Sequence, residues 1–167
     1  KPVVFLMGLD EIDLSILKNA FVIYIGHNGD KSASVADVIL PAPAYTEKSS
    51  TFMNIEGRVL QTTKCHNPIG QAKEEWKIFR ALSNSFKNFL KFNNIQDLRN
   101  ELIIEYPIFS ELFTLPKINN SFKFDEPGKI ASRELNYNIN NFYMNDVISR
   151  SSETMAKCTK EILNNNK

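Results

Sequence analysis

Few side chains in this sequence could carry chemistry. His27 and His66 are the only histidines, and Cys65 and Cys158 the only cysteines. A zinc or iron–sulfur site needs about four thiolate or imidazole donors grouped by short spacings. The two thiols lie far apart with no CxxC, which excludes a disulfide framework and any cluster built by this chain alone. Cys65 and His66 are adjacent, so in extended chain they point to opposite faces, and a shared metal ion is the weaker reading. Cys158 falls in a helical pattern and reads as a packing residue. Two free thiols fit a reducing compartment.

Gly26-His27-Asn28-Gly29 follows an apolar run and has the look of a phosphate-cradling turn. The third glycine of GxGxxG is absent, and too few residues precede Ala36 for a full helix. An ordinary turn at a strand's carboxyl end is the stronger reading. Asp30, Glu47 and Glu56 are acids in loop-like sequence with no serine or histidine evidently paired to them, so salt bridges and solvated loops account for them. The aromatic residues, 11% of the chain, recur at helical spacing and make a core stripe, not a stacking platform for bases. No catalytic, cofactor-binding or metal-binding residue is expected in this chain.

The elements around these residues follow from apolar runs and their punctuation. Val3-Val4-Phe5-Leu6-Met7, closed by Gly8, and Phe21-Val22-Ile23-Tyr24-Ile25, closed by Gly26, are unbroken apolar runs. Such runs predict strands buried on both faces, as in a parallel sheet. Asp10 to Asn19 reads as a short helix capped by Asp10. Val38-Ile39-Leu40 is a third strand, stopped by Pro41 and Pro43. This order predicts an α/β fold with a short parallel sheet and flanking helices. Thr51 to Asn54 and Arg58 to Thr63 read as two strands joined by the turn Ile55-Glu56-Gly57. Gln71 to Phe92 reads as one long helix with Trp76, Phe79, Leu82, Phe86 and Phe89-Leu90 on one stripe. A shorter helix is predicted over Ile95 to Tyr106, ended by Pro107. Leu115 to Asn141, rich in Asn, Lys, Ser and Pro, reads as an irregular excursion. A final helix is predicted beyond Asn145 or Asp146, with Ile148, Met155, Thr159 and Ile162 on one face.

The 167 residues suffice for one domain of ordinary size. Lysine and arginine number 20 against 19 acids, so there is no general attraction for nucleic acid or an anionic membrane surface. No apolar run approaches the ~20 residues of a membrane span. The organisation read from the sequence is residues 1–114 as the end of an α/β domain, 115–141 as the excursion and 142–167 as a C-terminal helix and tail. Three short strands are fewer than the usual four to six. The sheet is therefore expected to be completed by another segment or another chain. Lys1 in place of Met suggests that the chain is processed or continues something else.

One stretch goes further. Ala36-Asp37-Val38-Ile39-Leu40-Pro41, then Ala44-Tyr45-Thr46-Glu47-Lys48, then Thr51, Asn54 and Glu56-Gly57-Arg58 resembles the ADVxLP…EK…T..N.EGR.Q signature of the molybdopterin oxidoreductase superfamily. Gln61 departs from the pattern by the insertion of Leu60. Within that superfamily, Tyr24 to Asp30 and Glu75 to Ser83 resemble the large iron–sulfur subunits of respiratory complex I. So does the run from Phe142-Tyr143-Met144-Asn145-Asp146 to Cys158, which is similar to the C-terminal helix of the mitochondrial form. The resemblance covers both ends of the chain and is poor over Leu115 to Asn141.

The resemblance implies a partial molybdopterin-oxidoreductase-like domain that has lost its cofactor. It would be a structural, catalytically silent part of the matrix arm of NADH:ubiquinone oxidoreductase at the mitochondrial inner membrane. The iron–sulfur clusters would lie in the N-terminal region of the same subunit, encoded on the same or a separate chain, and that region and other peripheral-arm subunits would be the partners. The alternative is the end of an active molybdopterin enzyme such as a formate dehydrogenase, with the loop Asp30 to Ser34 against the pterin.

Overall fold

The structure is a computed structural model that describes residues 1–9, 11–117, 128, 132–133, 139 and 141–163. The chain divides into two compact units, Lys1–Ile118 and Asn119–Lys167.

The first unit is built on a three-stranded parallel sheet, β1 (Val3–Met7), β2 (Phe21–Gly26) and β3 (Val38–Pro41), in the order β1-β2-β3. Val4 lies beside Val22, Leu6 beside Tyr24, and Tyr24 beside Ile39. Leu6, Val22 and Tyr24 pack with Leu17 into the core, flanked by Val4, Ile12, Leu14 and Ala20. The same sterics that make these β-branched and aromatic runs extended also put alternate residues on the opposite face. There the picture departs from the expectation of full burial. Ile25 is buried, but Val3, Phe5, Met7 and Phe21 are exposed. A parallel sheet normally has both faces covered; here one face is covered only in part.

The segment between β1 and β2 is a single 3-10 turn, Leu14–Leu17, capped by the Asp13 carboxylate, which accepts the Ser15 N–H at 2.9 Å. It is shorter than the helix expected from Asp10 to Asn19, and the cap is Asp13; Asp10 lies outside the described residues. The backbone N–H and side chain of Ser15 keep the Asp13 carboxyl below the usual range.

After β3, a 3-10 turn (Tyr45–Glu47) leads into the antiparallel hairpin β4 (Thr51–Met53) and β5 (Val59–Gln61). Gly57 sits at φ 79° in its turn, a conformation that costs glycine little. Helix α1 (Glu75–Ser83) then crosses the partly covered face of the sheet, where the Phe79 and Phe5 rings lie 5.7 Å apart. α1 ends nine residues before the long helix expected from the aromatic spacing. The Ser83 hydroxyl, buried, donates to the Arg80 carbonyl at 2.7 Å and accepts the Leu90 N–H at 3.0 Å. That turns the chain back, because a serine hydroxyl offers the backbone an alternative to the helical ladder. Phe86 and Phe89 are consequently exposed and off the stripe, whereas Phe92 is buried against Trp76. Helix α2 (Ile95–Glu105) begins on Asn94, whose side chain accepts the Asp97 N–H, and stops before Pro107.

In the second unit, the expected single helix is two. A 3-10 turn (Phe142–Met144) precedes α3 (Val147–Arg150), capped by Asp146, whose carboxylate takes the Ile148 and Ser149 N–H groups at 2.8 and 3.0 Å. The helix is then restarted as α4 (Glu153–Cys158) by the Ser152 hydroxyl, which accepts the Met155 N–H. The Ser151-Ser152 pair interrupts the run for the reason Ser83 does. A π-helical stretch (Thr159–Leu163) follows, and the Thr159 hydroxyl bonds the Met155 carbonyl. Most of the 115–141 excursion lies outside the described residues.

Candidate functional site

Ligands of open α/β sheets bind beyond the carboxyl ends of the strands. Here that edge is formed by Gly8 after β1, the Gly26–Asp30 turn after β2 and the Pro41–Glu47 segment after β3.

The β2 turn is locked from within. Tyr24 and Gly26 are two residues apart in a strand and share a face. The buried Tyr24 ring passes beneath Gly26, so that a β-carbon there would stand 2.3 Å from the Tyr24 Oη and 2.5 Å from Cζ. The hydroxyl reaches the Asn28 carbonyl at 3.0 Å and the Asp30 carboxylate at 2.5 Å. The other Asp30 oxygen accepts the Ala33 N–H at 3.0 Å. The glycine therefore serves tyrosine packing, and the turn that looked like a phosphate cradle is closed on its own side chains. The Asp30–Ser34 loop also folds on itself: the Ser34 hydroxyl donates to the Lys31 carbonyl at 2.6 Å, and Ser32 is fully buried. Among the described residues the Ser32 Oγ has no hydrogen-bond partner.

The signature residues that carry the resemblance are occupied in the same way. Asp37 holds β2: its carboxylate accepts the Val22 N–H at 2.7 Å. Pro41 has no N–H to give the ladder, so Ala42 bonds the Gly26 carbonyl in its place, and the Pro41 carbonyl takes the Lys73 N–H. Buried Glu47 accepts the Ala44 N–H at 2.9 Å, and Lys48 pairs with Glu75 where both are mostly covered. Thr51 takes a bond from Arg99 at 3.3 Å. Asn54 accepts the Glu56 and Arg58 N–H groups at 3.0 Å, and Arg58 donates to the Phe113 carbonyl.

A cleft of about 390 Å³ remains between the β2 and β3 ends, lined by Gly26, His27, Asn28, Pro41, Ala42, Ala44, Glu47, Ile69 and Ala72. Its polar groups are one imidazole, one amide and one carboxylate, with no Lys or Arg in the lining. His66 stands beside it: Nδ1 is 3.8 Å from the Glu47 carboxylate and Nε2 is 3.5 Å from the Thr46 hydroxyl. Cys65, next to it, is exposed and donates weakly to the Thr63 carbonyl. No group of three His, Cys, Asp or Glu side chains among the described residues is placed to hold a metal ion.

A second buried acid was not singled out by the sequence. Glu74, at the start of α1, receives the Lys77 ammonium at 2.8 Å and the Trp76 indole N–H at 3.3 Å. Burial alone would raise its carboxyl; the Lys77 and Trp76 bonds, the Lys77 charge and the Ser49 N–H outweigh it and hold the carboxyl below its ordinary value.

Comparison with known proteins bears on this arrangement. The family model for molybdopterin oxidoreductase matches residues 1–85. The model for the C-terminal region of the G-type subunit of NADH-ubiquinone oxidoreductase matches residues 118–158. The chain is 41% identical to the G-type subunit of the NADH-quinone oxidoreductase of Rickettsia bellii over 157 residues, 93% of this chain and 23% of that protein. It is 45% identical to the mitochondrial NADH-ubiquinone oxidoreductase 78 kDa subunit of Candida albicans, again over 93% and 23%. With the 75 kDa subunit of Reclinomonas americana it shares 40% identity over 95% of its own length. The chain spans 23% of the length of these relatives.

Proposed function

The chain belongs to the molybdopterin oxidoreductase family, and from that premise we propose that it is the C-terminal part of the large iron–sulfur subunit of an NADH:ubiquinone oxidoreductase, catalytically silent in itself. The observation that carries the reading is coverage. Similarity at 40–45% identity runs along 93–95% of this chain, against large subunits named for that enzyme. In this reading the clusters that pass electrons from NADH toward ubiquinone lie in the residues of the subunit outside this chain, and two isolated cysteines are in keeping with that. The partners are that iron–sulfur region, on the same or a separately encoded polypeptide, and other peripheral-arm subunits. The place of work is the matrix side of the mitochondrial inner membrane. Among the described residues no helix is long and apolar enough to cross a membrane.

The family's name raises the question of a pterin cofactor. A pterin with a phosphate tail needs cations and hydrogen-bond donors. The carboxyl-edge cleft offers the Glu47 carboxylate and no lysine or arginine, and a phosphate placed there meets like charge. Asp30 and Ser32, the loop groups that would face such a ligand, are turned inward. The residues present do not fit the group, which favours a silent domain over an active molybdenum enzyme such as a formate dehydrogenase.

The test is composition. Native NADH:ubiquinone oxidoreductase is purified, its chains identified by peptide mass spectrometry and its metals counted. This chain in stoichiometric amount, with iron and without stoichiometric molybdenum, is the expected result. Absence of the chain, or one molybdenum per chain, overturns the reading.

A further inference from the structure

The open edge of β1 carries an inference about what completes this domain. In a parallel ladder each strand turns alternate residues toward its neighbour. Phe21 donates to the Pro2 carbonyl and Gly8 to the Ile25 carbonyl, both at 2.8 Å. Pro2, Val4, Leu6 and Gly8 therefore face β2. The backbone N–H and C=O groups of Val3, Phe5 and Met7 face the other way, and among the described residues no strand stands there. These three residues are 57%, 38% and 52% exposed. The strand itself, from Val3 to Met7, carries no charge, proline or bulge of the kinds that guard a solvent-facing edge. Among the described residues these three donors and three acceptors have no partner, and an apolar edge of that kind is built to be covered.

We propose that β1 is an interior strand of the complete domain, and that its open edge is paired with a parallel, predominantly apolar β-strand from the part of the large subunit outside this chain. This rests on the functional reading above. The occupant is argued on three grounds. The relatives are more than four times as long as the stretch matched here, since the chain spans 23% of them, so extended chain of the same subunit exists to supply a strand. The direction follows from the sheet, because β1, β2 and β3 are all parallel and all-parallel sheets are over-represented. A second copy is disfavoured: two β1 edges related by a two-fold axis would pair antiparallel, in a sheet that is otherwise parallel. A helix laid on the edge would cover the side chains and leave the outward N–H groups of Val3, Phe5 and Met7 without acceptors, a cost that a strand avoids.

The pairing is tested in the purified enzyme that contains this chain. Hydrogen–deuterium exchange compares the outward amides of Val3, Phe5 and Met7 with the inward amides of Val4 and Leu6. Protection of the two sets within about ten-fold of each other is expected, since both would sit in the same cooperative unit. A photoreactive leucine analogue in place of Val3, close to valine in size and shape, identifies the neighbour on irradiation. Capture of a peptide from the large subunit outside this chain is expected. Outward amides that exchange as fast as the loop at Ile55 overturn the pairing while leaving the functional reading in place. Capture of another subunit, of residues 119–140 of this chain, or of a second copy overturns the occupant. An enzyme preparation that lacks the chain overturns both.

Discussion

Asp37 and Val22 hold each other reciprocally: the Asp37 carboxylate accepts the Val22 N–H at 2.7 Å, and the Asp37 N–H donates to the Val22 carbonyl at 2.9 Å. β3 begins to pair with β2 only at Val38, opposite Ile23. The aspartate side chain thus supplies the acceptor that the ladder lacks one step earlier. That gives the ADVILP signature a structural task in this chain. Replacing Asp37 with Ala leaves the N–H of a buried residue unpaired, which costs roughly 1–3 kcal/mol. Asp37→Asn keeps one oxygen and is expected to lose less. Denaturant midpoints of the two variants, with abundance of the assembled large subunit, check the ranking.

The Tyr24–Gly26 contact is equally specific. Gly26→Ala puts a methyl group 2.3–2.7 Å from three atoms of a buried ring, an overpacking that costs about 1–3 kcal/mol. Tyr24→Phe does not relieve it, because Cζ and Cε1 are already too close, at 2.5 and 2.7 Å. The double variant is therefore expected to be at least as unstable as Gly26→Ala alone. A double variant more stable than Gly26→Ala would place the clash at the hydroxyl only and contradict the geometry.

Glu74 makes the fold sensitive to acid. Its carboxyl lies below its ordinary value of 4.5 in the folded chain. A carboxyl lowered on folding contributes stability that is present above the unfolded value and is lost as pH falls through the folded one. The stability difference between wild type and Glu74→Gln should therefore be constant from neutral pH down to about 5.5 and shrink below about 4.5. Denaturation midpoints measured across roughly pH 3–7 read it directly. A difference that grows on acidification would reverse the sign and show that burial dominates over the Lys77, Trp76 and Ser49 contacts.

Trp76 joins several of these parts. It meets the Phe92 ring edge-on at 6.2 Å, donates to Glu74, and has the Lys77 ammonium 5.2 Å from its ring centroid. Truncating a buried aromatic costs roughly 3–5 kcal/mol; Trp76 is only half-buried, so Trp76→Ala is expected near or below the lower end. Trp76→Phe keeps the packing and loses one bond. Peripheral-arm abundance should fall with the first and hold with the second.

The strands, the β4–β5 hairpin and α2 were legible because apolar runs there are closed by glycine, proline or an asparagine cap, signals that act within a few residues. The end of α1 was not. Phe86 and Phe89 continue the helical spacing of Trp76, Phe79 and Leu82, while the signal that ends the helix is one hydroxyl, Ser83, whose reach to Leu90 depends on the returning chain. The final helix divides for the same reason at Ser151-Ser152. Full burial of β1 was not borne out: Val3 and Met7 are exposed, because an apolar run records which residues favour burial and not whether a neighbour stands over them. At the candidate site, Gly26-His27-Asn28-Gly29 had the look of a phosphate cradle but read more strongly as an ordinary turn; what the pattern did not show is why the glycine is there. Its neighbour in space is Tyr24, and the two-residue spacing that puts them on one face was the available signal.

Cys65 and His66 give the most direct check on where the chemistry of the assembly sits. Cys65 is exposed with only a weak bond to the Thr63 carbonyl. The His66 ring is more than half exposed, with Nδ1 3.2 Å from the Asn67 carbonyl and 3.8 Å from Glu47. Neither has the grouped thiolate partners that a cluster needs. Cys65→Ser and His66→Gln are therefore expected to leave the electron-paramagnetic signals of the reduced enzyme, and its rate of NADH-driven ubiquinone reduction, unchanged. Glu47 should tolerate the histidine change because its main bond is to the Ala44 N–H; Glu47→Ala, which removes that acceptor from a buried turn, should cost roughly 1–3 kcal/mol. Loss of any cluster signal in the Cys65 or His66 variant would show that this chain supplies a ligand, and the silent reading would fall.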